Sequence, residues 1–202
     1  MLDVGCGTRP FEPLFLGSAR EYVGVDIDAD KAGDVIASAE QLPFADGAFD
    51  LVLCTQVLEH TADPERVVAE LWRVTAASGR LLLSTHGVQA YHPIPRDCWR
   101  WTHEGLELLL ARNDWASVTV EPAGGTATCL ASLASLYLHL LIRRVGLEPL
   151  DRPLVWALNG LGGALDRQVA SLRDPNRPGT LFLNYHVVAN KQGPGATQRL
   201  HP

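Results

Sequence analysis

The segment Leu2-Asp3-Val4-Gly5-Cys6-Gly7-Thr8 runs an apolar strand directly into a glycine turn. Gly5 and Gly7 can take positive φ and carry no Cβ, so a ligand can lie against the backbone there. A second strand ends in Asp26, 19 positions after Gly7. A carboxylate at that place can accept both hydrogens of a ribose diol. Loop and acid together read as a nucleoside site at the carboxyl ends of adjacent strands. A dinucleotide fingerprint would want a third small residue at position 10, where a helix N-terminus meets pyrophosphate, but Pro10 stands there. No Lys-Ser/Thr pair follows, as a phosphate loop would require. The ligand expected here carries ribose and no pyrophosphate.

A second group of chemistry-bearing residues falls in the stretch Ser84 to Thr102, where His86, Tyr91, His92 and Asp97 share one loop. That loop leaves a strand at its carboxyl end, which is where open α/β sheets place substrates. His86 or His92 is the candidate general base, because an imidazole changes charge near neutral pH. Tyr91, Asp97, Trp99 and Trp101 are the candidate acceptor contacts. The competing structural reading pairs Asp97 with an arginine and packs the tryptophans under the loop. No cluster has metal-ligand spacing, so no metal is expected.

These residues need elements to hold them. Leu2–Val4, Tyr22–Val25, Asp34–Ala37, Leu51–Cys54 and Leu81–Ser84 read as short, nearly continuous apolar strands, the pattern of parallel strands buried on both faces. Pro64 to about Ala76 reads as a helix, with Asp63 as cap, Pro64 in the first position, Val67, Val68, Leu71, Trp72 and Thr75 on one side, and Gly79 as the stop. The link from Asp28 to Gly33 is too short for a full helix. Alternation of this kind implies right-handed crossovers and an open α/β sheet. Further on, a helix from Thr102 to about Ala111 precedes strands at Val118–Glu121 and Leu181–Val188. Between those strands, residues 127–172 read as a helical hairpin split by Gly146–Pro153. Its stripe of Leu130, Leu133, Leu136, Tyr137, Leu140 and Leu141, ending in Arg143 and Arg144, suits core, a cap on the acceptor pocket, a dimer interface or a membrane-surface patch.

The whole chain agrees with this picture. Its 202 residues, 47% hydrophobic and 20% charged, suit one α/β domain rather than a disordered or fibrous chain. A formal charge of −6 and the lack of a basic run argue against binding to a nucleic-acid backbone. Four scattered cysteines with no CxxC pair, and no signal-peptide pattern at Met1-Leu2-Asp3-Val4, lead to the expectation of a reducing, cytoplasmic setting. The expected organisation is one domain over 1–191, with a donor-binding half at 1–86, an acceptor half at 87–191 and a flexible tail at 192–202.

Leu2-Asp3-Val4-Gly5-Cys6-Gly7 resembles motif I of the class I S-adenosylmethionine-dependent methyltransferases. The resemblance continues through Val25-Asp26-Ile27-Asp28, Ala39-Glu40-Gln41-Leu42-Pro43-Phe44, Phe49-Asp50-Leu51-Val52, Gln56-Val57-Leu58-Glu59-His60 and Gly79-Arg80-Leu81-Leu82-Leu83. The chain is most similar to the type 11 methyltransferase family. That likeness implies a Rossmann-like, open, mostly parallel seven-stranded sheet with helices on both faces, here with a C-terminal helical hairpin insertion. It implies S-adenosyl-L-methionine as cofactor and methyl transfer as the activity. Carried over residue by residue, the cofactor contacts are Asp3, Gly5, Cys6, Gly7, Asp26, Ile27, Ala39, Glu40 and Gln41, with Cys54, Thr55 and Gln56 at the border of the methyl donor. The family implies that Asp26 holds the ribose, so Asp26→Ala is expected to weaken S-adenosylhomocysteine binding while sparing the fold. Family members usually carry a helix before motif I that covers the donor. This chain starts with the motif, which leads to the expectation of an N-terminal truncation or of a lid from elsewhere, with weak donor affinity.

The stretch His92-Pro93 to Trp101-Thr102 resembles a segment of methyltransferases that sit among cell-surface polysaccharide and glycan genes. The expected acceptor is therefore a small molecule or a glycan or lipid-linked group, and an oligomer is compatible with the sequence. The alternative reading is a catalytically silent donor-binding relative that serves as a partner subunit. A nucleotide-dependent oxidoreductase is disfavoured by Pro10 and by the lack of a Tyr-x-x-x-Lys pair.

Overall fold

The computed structural model describes residues 1–31, 33–146, 149 and 151–192. The expected tail therefore lies outside the described residues beyond Gln192. Seven strands form one sheet in the order β3-β2-β1-β4-β5-β7-β6. They are β1 (Leu2–Val4), β2 (Val23–Asp26), β3 (Val35–Ile36), β4 (Phe49–Thr55), β5 (Thr75–His86), β6 (Trp115–Ala123) and β7 (Asn184–Lys191). β1 pairs in parallel with β2 and β4, as do β2 with β3 and β4 with β5. β7 runs antiparallel to both β5 and β6. The strand order reverses at β1, which puts the glycine loop at the topological switch point where α/β sheets bind ligands.

Alternate residues of the central strands (Leu2 and Val4, Val52 and Cys54, Leu81 and Leu83, Tyr185 and Val187) are buried on one face of the sheet. Helix α2 (Pro64–Val74) and helix α3 (His103–Leu110) cover that face with Val67, Val68, Leu71, Leu106 and Leu110. Helix α1 (Glu12–Phe15) is a single turn, and Phe11 just before it lies beside Leu53, Leu82 and Val188 on the other face.

Asp63 caps α2 by accepting from the Arg66 amide at 3.0 Å, and Thr102 caps α3 through the Gly105 amide. The end of α2 differs from the expected one. It stops at Val74, and Thr75 leads straight into β5 with its hydroxyl donating back to the Leu71 carbonyl at 2.6 Å. Gly79 lies inside β5 instead of ending the helix. The register slips there, from Phe49 opposite Thr75 to Leu51 opposite Arg80, and a Cβ on Gly79 would meet the Ala76 carbonyl oxygen at 2.8 Å. The last strand also begins three residues later than expected, at Asn184. Phe182 and Leu183 are held instead by the Val88 and Gly87 amides, which donate to their carbonyls.

The hairpin forms as expected between β6 and β7, from α4 (Thr126–Val145) and α5 (Asp151–Gln168). These two helices pack chiefly against each other. At their base the Asp166 carboxylate accepts from the Ala127 and Thr128 amides, closing the N-terminus of α4.

Candidate active site

The turn after β1 has the backbone its glycines allow, with φ +71° at Gly5 and +53° at Gly7. A Cβ at Gly5 would fall 2.3 Å from Val57 Cγ2, whereas nothing stands within 4 Å of one at Gly7, so the loop is closed on one side and open on the other. The Gly7 amide donates to Asp26 Oδ2 at 2.8 Å, and the Asp28 amide donates to Oδ1 at 2.9 Å. One carboxylate therefore links the end of β2 to the glycine loop and has acceptor capacity to spare, since each oxygen can accept more than one hydrogen. Asp26 is thus also a brace, and its loss should be felt by the empty protein, contrary to the expectation that Asp26→Ala spares the fold.

A cleft of about 410 Å³ opens at this point, in the size range of small-molecule sites. Gly5, Asp26, Ile27, Ala39, Glu40 and Gln56 line it, all of them sequence candidates. Ile27 is 64% exposed beside the acid, an apolar surface against which a planar base can lie. Glu40 lines the cleft and also accepts from the Ala62 and Asp63 amides at 3.0 and 3.2 Å, tying that wall to the entry of α2.

Other candidates stand off the wall. Cys6 is buried and turned toward Gly24, where a Cβ would meet its sulfur at 2.9 Å, and burial pushes its thiol up to about 11. Gln41 is exposed, with its amide spent in a turn to Ser38. Cys54 points into the core, and Thr55 faces a shallow depression beside Leu53, Leu82 and Val188. Strand alternation accounts for this pair, because successive residues of β4 point to opposite faces. Asp3 lies beneath the glycine loop, fully buried. Its Oδ2 accepts from the Tyr22 hydroxyl, and Oδ1 has no hydrogen-bond partner among the described residues. Burial raises its pKa to about 6, although the Tyr22 hydrogen bond and Arg9 pull the other way.

The loop from His86 to Trp101 folds back over the cleft and contributes Pro95 and Arg96 to its wall. It is pinned to the 3₁₀ turn Leu58–His60: the Cys98 amide donates to the Glu59 carbonyl at 2.8 Å, and Trp99 Nε1–H to the Thr61 carbonyl at 2.9 Å. Trp99 stacks on Trp101 at 5.7 Å, and Trp101 packs against the core. Asp97 is occupied by Arg100 and by the His92 amide at 2.7 Å, which holds its carboxyl well below the usual range. Asp97, Trp99 and Trp101 therefore build the loop rather than line the cleft, and Tyr91 is 77% exposed outside it.

The histidines form a series. His86 sits against Glu59, with Nε2 3.2 Å from Oε1 but poorly aligned for a hydrogen bond. The His60 ring lies 6.2 Å from His86 and 6.1 Å from the exposed His92. Burial holds the His86 imidazole below its ordinary pKa although Glu59 pulls it up. Glu59 is fully buried and accepts from the Thr85 hydroxyl at 2.8 Å. Of the three rings only His60 lines the cleft. Its Nδ1–H donates to the Arg96 carbonyl, a pairing that fixes the tautomer and leaves the lone pair on Nε2. His60 and Glu59 were not singled out from sequence. The signal available was their place in the turn directly after β4, at the carboxyl edge of the sheet.

Comparison with known proteins bears on the fold that carries this cleft. Residues 2–83 match a family model described as a methyltransferase domain. An uncharacterized methyltransferase of Mycobacterium sp. (strain JLS) is 43% identical over 94 residues, which cover 42% of this chain and 37% of that protein. The matched stretch thus spans little more than a third of the relative. Among solved structures, a SAM-dependent methyltransferase from Archaeoglobus fulgidus aligns over 94% of this chain and 85% of its own, with TM-score 0.56 and 18% identity. Phosphoethanolamine N-methyltransferase 2 of Haemonchus contortus, in complex with S-adenosyl-L-methionine, aligns over 95% and 48%, with TM-score 0.59 and 16% identity. At such identities the structures show the shared fold. Residues 2–83 are thus similar to the methyltransferase-domain family, and the chain carries the class I methyltransferase fold.

Proposed function

We propose that this protein transfers the methyl group of S-adenosyl-L-methionine to a small-molecule or glycan or lipid-linked acceptor. The observation that carries the reading is the joined glycine loop and Asp26, opening on a cleft floored by Gly5 and flanked by Ile27, Ala39 and Glu40. The unpartnered, buried Asp3 oxygen under the loop fits a ligand whose sulfonium and ammonium groups are cationic. When bound, that cofactor supplies an already activated methyl group. The chain's own work is then to orient the acceptor and exclude water, which can lower a barrier by as much as about 7–11 kcal/mol.

Asp26 would take the ribose hydroxyls, Ile27 and Ala39 the base, and the glycine loop the amino-acid part. His60, with its lone pair on Nε2, would take the proton of an acceptor hydroxyl. This moves the base role from His86 and His92 to the histidine on the wall, with His86 and Glu59 behind it as positioning groups.

Calorimetry with S-adenosylhomocysteine tests the donor assignment. Asp26→Ala should weaken binding at least about tenfold, as expected for lost charge-assisted hydrogen bonds. It should also lower the melting temperature of the empty protein, because the Gly7 amide loses its acceptor. Binding of NAD but not of S-adenosylhomocysteine would overturn the reading. For the base, His60→Ala should cut turnover about 10²–10⁴-fold with donor binding unchanged. A loss of that size in His92→Ala and not in His60→Ala would return the role to the loop.

A further inference from the structure

Helices α4 and α5 form an arm whose outer surface is apolar. From Thr126 to Ile142 there is no Asp, Glu, Lys or Arg, and by length and composition α4 could cross a bilayer, although only 22% of its most apolar stretch is buried. Its contact with α5 is a narrow stripe through Ala131, Ser135, His139 and Ile142: Ser135 meets Asn159, His139 meets Asp151, and Ala131 lies against Gly162. By 3.6-residue spacing the opposite arc holds Leu130, Leu133, Leu136, Tyr137, Leu140 and Leu141, each at least 37% exposed. On α5, Leu154, Leu161 and Leu165 fall on one exposed flank, and Trp156 is 79% exposed. Soluble monomers seldom leave so continuous an apolar surface in water.

Charge distinguishes the occupants of such a surface. Residues 126–177 carry six arginines against four acids, whereas the rest of the chain carries eleven basic and nineteen acidic residues. The acids of the arm are partly spent inside it, since Asp166 caps α4 and Asp151 pairs with His139. Arg143 and Arg144, in the last turn of α4, and Arg152, in the first turn of α5, are exposed together at the arm's outer end. A positive, leucine-covered arm on a negative body matches an anionic surface with an apolar interior. The breadth of the arc also matters. A helix–helix partner wants a seam of a and d positions, but here about half the circumference of α4 is Leu, Tyr and Ala.

We infer that the α4–α5 arm docks this protein on a bilayer surface containing anionic lipid. Leucines would enter the acyl boundary, Trp156 and Tyr137 would sit at headgroup level, and the arginines would meet the lipid phosphates. This inference stands whether or not the cleft binds S-adenosylmethionine.

Flotation of the full chain with vesicles of mixed phosphatidylglycerol and phosphatidylcholine tests it, alongside pure phosphatidylcholine vesicles and with tryptophan fluorescence, compared with that of Trp156→Phe, as a second readout. The chain should float with the anionic vesicles, with a blue shift in emission and weaker binding in high salt. Arg143→Gln combined with Arg144→Gln should reduce partition about thirtyfold, the effect of losing two headgroup charges. Leu140→Glu, at an exposed position where the circular dichroism spectrum should stay that of the parent, should reduce it at least about tenfold. Equal partition into neutral and anionic vesicles would overturn the inference. So would absence of flotation combined with a stable dimer in light scattering that Leu140→Glu dissociates, since the arm would then be a self-association surface.

Discussion

At the scale of single residues, the site turns on two carboxylates under and beside the glycine loop whose surroundings differ. Asp26 receives two backbone amides and stands at the cleft wall. Asp3 is fully buried with one oxygen unpartnered among the described residues, and its pKa is raised from 3.8 to about 6, chiefly by burial. A raised folded-state pKa means that the empty protein is favoured when Asp3 is protonated. The contribution is complete below the unfolded value near 4 and is lost as pH rises through about 6. Asp3→Asn keeps an acceptor for the Tyr22 hydroxyl and removes the charge. Two pK units correspond to about 3 kcal/mol, part of which the unpartnered amide nitrogen would offset, leaving a gain of about 1–2 kcal/mol above neutrality. Urea melts of both proteins between acid and mildly alkaline pH would show it, with the two stabilities converging toward about pH 4. The same variant should bind S-adenosylhomocysteine more weakly, because the ligand's ammonium group loses a buried counter-charge. Parallel stability curves across that range would mean that burial does not raise the Asp3 pKa above its unfolded value.

At the scale of elements, what the sequence showed was periodicity and caps, and what it hid was direction. The alternation of apolar strands, the Asp63-Pro64 start of α2 and the Thr102 cap of α3 are all local signals, and each element stands where those residues put it. The ends resisted because long-range contacts decide them. Thr75 ends α2 by entering the sheet opposite Phe49, and Gly79 is needed for close approach to Asp50 and Ala76 instead of a helix stop. The site was legible to the same extent. Gly5 and Ile27 follow directly on strands and Asp26 ends one, so their geometry is set by adjacent residues and reading them in order places them at the cleft. Cys54 and Thr55 follow each other on one strand and cannot both face a ligand, and strand alternation could have separated them. His60 stands at the wall in the turn directly after β4, but what orients its ring is the Arg96 carbonyl, a contact spanning 36 residues that no local pattern announces.

At the scale of the whole molecule, body and arm are joined at a narrow base and are packed by different means. The body has a continuous core running from Leu2 to Ala189 under α2 and α3. The arm holds together through small residues that let its helices approach closely, as at Gly162: a Cβ there would meet Ala131 Cβ at 2.6 Å and the Ala127 carbonyl oxygen at 2.8 Å. Both neighbours belong to α4, one of them backbone, so a larger side chain at 162 must push the helices apart instead of finding a new rotamer. Such overpacking costs about 1–3 kcal/mol. Because the arm touches the sheet mainly through its base, that cost should appear as local opening and not as loss of the whole fold. Gly162→Val should therefore speed hydrogen exchange of amides in α4 and α5 while leaving protection in β1, β4 and β5, and the affinity for S-adenosylhomocysteine, as in the parent. Uniform loss of protection across the sheet would show instead that the arm is an integral part of the cooperative core, and that docking it on a surface would be felt directly at the cleft.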